Sequence, residues 1–90
     1  MAKGDVYDAR KYAWQVRESS DGGIFIRYDT EINSDNKGRY NTSQVIKVET
    51  NNAGEVRFTT KSGSEYYFVV SKCVYPMHLL SLTMRFGVEF

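Results

Sequence analysis

From Leu80 to Phe90 apolar and polar residues alternate without exception, with Leu80, Leu82, Met84, Phe86, Val88 and Phe90 separated by Ser81, Thr83, Arg85, Gly87 and Glu89. A period of two is that of a β-strand, and it predicts one strand sending all six apolar side chains to one side of a sheet. At about 3.3 Å per residue the strand would run about 35 Å, well past the usual five or six residues. A stripe of that length demands cover, and two arrangements supply it. The strand can close a small barrel, with Gly87 permitting the bend. Alternatively its far end, Arg85, Phe86, Val88 and Phe90, adds to the sheet edge of a second chain.

Upstream, the same alternation recurs between turns. Residues 1–9 read as an irregular lead-in. Lys11 to Glu18 place Tyr12, Trp14 and Val16 on one strand face, with Lys11, Gln15 and Arg17 on the other. Ser19-Ser20-Asp21-Gly22-Gly23 has hairpin-turn chemistry. Beyond it Ile24, Ile26 and Tyr28 alternate with Phe25, Arg27 and Asp29. Ala9, Tyr12, Ala13 and Val16 also fit helical spacing with Asp8 as a cap, so a short helix within residues 5–18 is the alternative. Thr30 to Thr42 is the longest polar stretch, and it reads as a mobile loop.

Ser43 to Thr50 form the next expected strand, with Ile46 and Val48 on one face and Val45 and Lys47 on the other. After a turn at Asn51–Gly54, Glu55 to Thr60 direct Val56 and Phe58 inward and Glu55, Arg57 and Thr59 outward. A third turn, Lys61–Ser64, leads to Glu65–Val70, with Tyr66, Phe68 and Val70 on one face and Tyr67 and Val69 on the other. Pro76 breaks regular structure between Ser71 and Leu79. Strands about ten residues apart with glycine-bearing turns predict an all-β fold. The expectation is one domain over residues 1–90, with six antiparallel strands in a strongly curled sheet or small barrel. The runner-up is α+β with the N-terminal helix.

Charge narrows the function. Twelve Lys and Arg against eleven Asp and Glu give a net charge of +1, with the signs interspersed. Bulk-charge binding to nucleic acid or membrane is therefore unsupported. A lone cysteine, Cys73, makes no internal disulfide and suits a reducing compartment. The N-terminal residues have no apolar run of signal-peptide length, and no segment approaches the roughly 18–20 apolar residues of a membrane span. A cytoplasmic location is expected.

No catalytic set assembles from the residue types. Cys73 and His78 could form a nucleophile and base, but no third orienting group is in view. Asn33, Asp35 and Asn36 fall short of a calcium loop, because no glutamate closes it at the required distance. Lys61-Ser62-Gly63-Ser64 lacks the glycines and the helix of a phosphate loop. No cofactor or metal is implied, and the reading is a protein that is not an enzyme.

The outward strand faces carry the strongest binding signal. Arg17, Phe25, Arg27, Lys47, Arg57 and Tyr67 interleave cations with aromatic rings, as single-stranded nucleic acid requires for phosphate contact and base stacking. Asp29, Glu49 and Glu55 occupy the same faces and offer cross-strand ion pairing instead. The leading expectation is a binding module for a protein partner or a second copy, acting through a sheet edge and aromatic contacts. Nucleic-acid binding through those six residues is the alternative.

The stretch from Thr42-Ser43-Gln44-Val45 through Val56-Arg57-Phe58-Thr59-Thr60-Lys61-Ser62-Gly63-Ser64-Glu65-Tyr66 resembles a hairpin of short, uncharacterised phage and prophage proteins. The resemblance covers under a third of the chain and rests on turn glycines between alternating strands. It implies an accessory protein of a phage or mobile element that binds and modulates a host macromolecule. It carries over no functional residues.

Overall fold

The computed structural model describes residues 4–33 and 36–90, those at 31–33, 36 and 37 by their backbone only. Alternating sequence builds seven strands: β1 (Val6–Asp8), β2 (Trp14–Glu18), β3 (Ile24–Asn33), β4 (Asn36–Asn41), β5 (Val45–Thr50), β6 (Glu55–Thr60) and β7 (Glu65–Val69). Short 3-10 turns at Val70–Lys72 and Pro76–His78 lead into one helix, α1 (Leu79–Phe86). The strands form two sheets, ordered β1-β7-β6-β5 and β2-β3-β4. The expected barrel does not close, because each sheet keeps its own two edges. Pairing is antiparallel throughout except between β1 and β7, which run parallel.

The β2–β3 hairpin forms as expected, with Val16 opposite Ile26 and Arg17 opposite Phe25. Its turn is held by the Asp21 carboxylate, which accepts bonds from the Gly23 N–H and the Ser19 hydroxyl. The alternative helix within residues 5–18 is absent. Residues 6–8 of the expected lead-in instead form β1, and Ala9 continues it by donating to the Tyr67 carbonyl.

Two expectations fail, one because polar partners hide a strand's pattern and one because the register of a strand slips. The polar stretch 30–42, expected as a loop, continues the β3–β4 hairpin; residues 34 and 35 lie outside the described residues. Its alternation is real, but the outward partners are Asp29 with Arg39 and Arg27 with Asn41, so no apolar period appears. In β5 the register shifts between Val45 and Lys47, leaving Ile46 as an extra residue. This bulge turns Val45 and Val48 inward and leaves Ile46 exposed, reversing the expected facing of Val45 and Ile46.

The largest correction concerns Leu80–Phe90, which is no strand. Pro76 lacks the N–H that a first helical turn leaves unused, and it opens the helical segment at its first position. Leu79, Leu82 and Phe86, spaced i, i+3 and i+7, meet the core, and Leu82 is fully buried. Gly87 stops the helix with a φ of 68°, donating its N–H to the Thr83 carbonyl at 2.9 Å. A short helix packed against the core buries Leu82 fully and Leu79 and Phe86 in part, where the strand reading needed to bury six residues.

The core lies between the sheets. Trp14, Val16, Ile24 and Ile26 come from one sheet, Val45, Val56, Phe58 and Phe68 from the other, and Ala9, Cys73 and Leu82 complete it. Trp14 is 1% exposed, with ring centroids 5.4 Å from Phe58 and 5.2 Å from Phe68. Its indole N–H donates to the Val69 carbonyl at 2.8 Å, and its own carbonyl accepts from the Val74 N–H at 2.8 Å. At the opposite corner the Thr42 hydroxyl accepts the Ile26 N–H at 3.1 Å, where the chain crosses from β4 to β5.

Helix and strand geometries make different demands on neighbouring leucines. Leu82→Ala should destabilise the chain by about 2–5 kcal/mol, while Leu80→Ala, on the outward face, should stay within about 0.5 kcal/mol. Urea unfolding of the two variants measures this, and equal losses would restore the strand.

Candidate functional site

The six residues expected to share one basic-aromatic face do not share it. Lys47, Arg57 and Tyr67 lie on the outer face of the four-stranded sheet, whereas Arg17, Phe25 and Arg27 lie on the outer face of the three-stranded sheet. The two sets are separated by the core. Their electrostatics differ as much as their positions.

On the four-stranded sheet every named cation has an acid. Arg57 bonds the Glu49 carboxylate from opposite, with Nε at 2.8 Å, and approaches Glu65 at 3.8 Å. Lys47 reaches Glu49 at 3.7 Å, and Arg10 bridges Asp8 at 2.8 Å and Glu55 at 3.0 Å. The Tyr67 ring is engaged from above by Arg57, whose guanidinium carbon sits 6.0 Å from its centroid. These pairs hold the carboxyls of Glu49 and Glu55 below their ordinary range, through hydrogen bonds from Arg57 to Glu49 and from Asn51 and Arg10 to Glu55. The face is charged but internally neutralised.

On the three-stranded sheet Arg39 pairs with Asp29 at 3.0 Å, whereas Arg17 and Arg27 bond neutral amides. Arg17 donates to Gln15 at 3.2 Å, and Arg27 donates to Asn41 at 3.0 Å. Neither makes an ion pair among the described residues. Phe25 is directly opposite Arg17 and two residues along β3 from Arg27, on the same face as both.

The expected interface residues are mostly occupied at home. Arg85 donates to the Glu18 carboxylate at 2.6 Å and to the Gly22 carbonyl, fastening α1 to the β2–β3 turn. Phe86 and Val88 are packed against the core, whereas Phe90, like Arg85, is exposed. Leu79–Phe86 is helical, so the continuous strand on which that contact was expected to rest is not formed. The same helix presents different residues outward. Met77, Leu80 and Met84 are 73%, 67% and 85% exposed, on the side of the helical segment opposite Leu82. Val74 and Tyr75 are exposed just upstream. Read as a helix, the segment would have disclosed them: Leu79, Leu82 and Phe86 form one apolar stripe, and Met77, Leu80 and Met84 form a second that has no core to meet.

Cys73 and His78 are not brought together as a nucleophile and base. Cys73 is buried, and its burial pushes the thiol up, away from the thiolate a nucleophile uses. The exposed His78 ring lies beside Tyr75, with centroids 5.6 Å apart. Asp35, of the calcium-like triplet, lies outside the described residues.

A tyrosine cluster was not anticipated. Tyr28 on β3 contacts Tyr12 at 6.3 Å, Tyr40 at 5.7 Å and Tyr66 at 6.1 Å between ring centroids, and Tyr66 stacks on Tyr7 at 4.7 Å. The parity of Tyr28 with Ile24 and Ile26 marked it as inward, as that of Tyr66 with Phe68 marked Tyr66, but Tyr40 and Tyr7 come from β4 and β1, which the sequence did not disclose as strands. Tyr40 lies over Gly38, where a Cβ would sit 2.7 Å from both the Tyr40 ring and the Thr30 hydroxyl. Glycine is the residue that leaves the ring its place.

Burial, followed by its tyrosine neighbours, pushes the Tyr28 hydroxyl up to about 12 from an ordinary value near 10. The folded state holds that proton more tightly than the unfolded state. Its stabilising contribution is therefore complete below pH 10 and disappears as pH rises through about 12. Tyr28→Phe, which keeps the ring, should move alkaline unfolding to higher pH in a near-ultraviolet circular dichroism titration. An unchanged midpoint would show that other groups control the transition.

Comparison of the chain with family models, with curated proteins and with solved structures finds no match in any of the three.

Proposed function

We propose that this chain is a non-enzymatic protein-binding module whose contact surface is centred on the outer face of α1. The observation that carries the reading is the stripe of Met77, Leu80 and Met84. On a surface helix the face opposite the core is ordinarily polar, and three large apolar side chains in a row there lose favourable burial unless something covers them. Methionine suits such a contact because its unbranched, polarizable side chain adapts to varied partner surfaces. Val74 and Tyr75 extend the apolar area upstream.

The site replaces the terminal sheet edge while keeping the same class of partner. It agrees with the accessory role implied by the resemblance of residues 42–66, in which a small phage or mobile-element protein modulates a host protein. The buried single thiol is compatible with the reducing cytoplasm. No helix among the described residues is long and apolar enough to cross a membrane.

The triple variant Met77→Ser, Leu80→Ser, Met84→Gln leaves Leu79, Leu82 and Phe86 in place and should fold, as circular dichroism would verify. It should lose the proteins that the parent chain retains on affinity capture from host extract, or the self-association that the parent shows in sedimentation at rising concentration. If parent and variant retain the same proteins and sediment alike, the apolar stripe is not a binding surface.

A further inference from the structure

The outer face of the three-stranded sheet carries a second set of residues, distinct from Met77, Leu80 and Met84. We propose that Arg17, Phe25 and Arg27 form a binding site for single-stranded nucleic acid. Three features combine there. Two guanidinium groups lack an acidic partner among the described residues, whereas Lys47 and Arg57 on the opposite sheet are paired. One aromatic residue lies between them in the register, directly opposite Arg17 and two residues from Arg27. The strand pairing fixes all three on a rigid surface, so little ordering remains when a ligand arrives.

The geometry suits a strand more than a duplex. Diagonal neighbours on an antiparallel face are separated by about 7–8 Å, which places Arg17 and Arg27 within reach of neighbouring phosphates of an extended chain. Phe25, between them, offers a flat face to one unstacked base, an interaction worth roughly 1–3 kcal/mol by truncation. A duplex keeps its bases stacked inside and presents no free base to the ring. Gln15 and Asn41 flank Arg27 in the cross-strand row, and their amides accept hydrogen bonds from Arg17 and Arg27. These amides orient both cations without neutralising them. Arg39 adds a third cation farther along the face, but its charge is spent on Asp29.

This division decides which of the six basic and aromatic positions matter. On the four-stranded sheet a phosphate would have to displace Glu49 from Arg57 and Lys47 and face Glu65 nearby. On the three-stranded sheet, among the described residues, it would displace only neutral amides from Arg17 and Arg27, with Asp29, two positions from Arg27, held by Arg39. The surface is small, so affinity in the range of non-specific binding, about 1–100 µM, is expected at low salt.

The test uses the full chain with fluorescein-labelled oligo-dT and oligo-rU of fifteen nucleotides, read by anisotropy at several salt concentrations. Arg17→Ala with Arg27→Ala should weaken binding at least tenfold at 50 mM salt and reduce the salt slope by about 1.4, two phosphate contacts at about 0.7 each. Phe25→Leu keeps an apolar packing residue while removing the ring, and it should cost about 5–160-fold. Lys47→Ala with Arg57→Ala should change affinity less than twofold. A duplex of the same length should bind more weakly than either single strand, and polyglutamate should compete poorly. The proposal is overturned by absence of single-strand binding at 50 mM salt, or by an unchanged salt slope in the Arg17 and Arg27 variant. It is equally overturned if Phe25→Leu has no effect while polyglutamate competes as well as DNA, which would mark a surface for acidic protein instead. The stripe of Met77, Leu80 and Met84 takes no part in this experiment, so its outcome is separate from that of the protein-binding reading.

Discussion

The structure depends on the burial of Trp14. One side chain fills the space between the sheets against Phe58 and Phe68, and its only polar atom is satisfied by the Val69 carbonyl. The same residue's backbone bridges to Cys73 and accepts from Val74, tying the edge of the three-stranded sheet to the segment that leaves β7. A small chain with limited core volume concentrates its cohesion this way. The indole supplies apolar area and a directional hydrogen bond at once, so it both drives the sheets together and fixes their relative placement. The turn at Val70–Lys72 and the entry to α1 follow from that anchor, since the chain beyond Val69 begins from a fixed point.

Much of the central sheet structure was legible from pattern. Val56, Phe58 and Phe68 point inward as their alternation requires, as do Trp14, Val16, Ile24 and Ile26, and the three glycine-bearing turns fall where turn chemistry placed them. The errors have specific physical origins. The β5 bulge adds one residue and exchanges Ile46 for Val45 on the inner face, which no periodicity reveals because register belongs to the pair of strands. β1 is three residues long and finds its partner across most of the chain, so local sequence contains little of it.

The terminal segment shows how two periods can coexist. Leu80, Leu82, Met84 and Phe86 satisfy a period of two, while Leu79, Leu82 and Phe86 satisfy one of 3.6. What decides between them is where cover is available. A helix needs only one narrow stripe buried, and the opening between the sheets offers that much and no more. The local signals also favoured it, with Pro76 at the beginning and Gly87 at the end. The site residues were harder to read for a related reason. Outward positions were identified correctly, but which outward face they shared depended on the division into two sheets, and ion pairing then separated the neutralised set from the unpaired one.

The parallel pairing of β1 with β7 places a three-residue ribbon over the side of a strand that carries Tyr66 and Phe68. It joins positions 6 and 65, the most distant partners in either sheet, so the entropy of closing that loop falls on very few bonds. β1 is accordingly the element most easily peeled away. When it leaves, the backbone of β7 becomes an open template for strand addition while the rest of both sheets stays intact. While paired, the N-terminal ribbon covers that side of β7, and its loss would leave the strand's backbone edge bare.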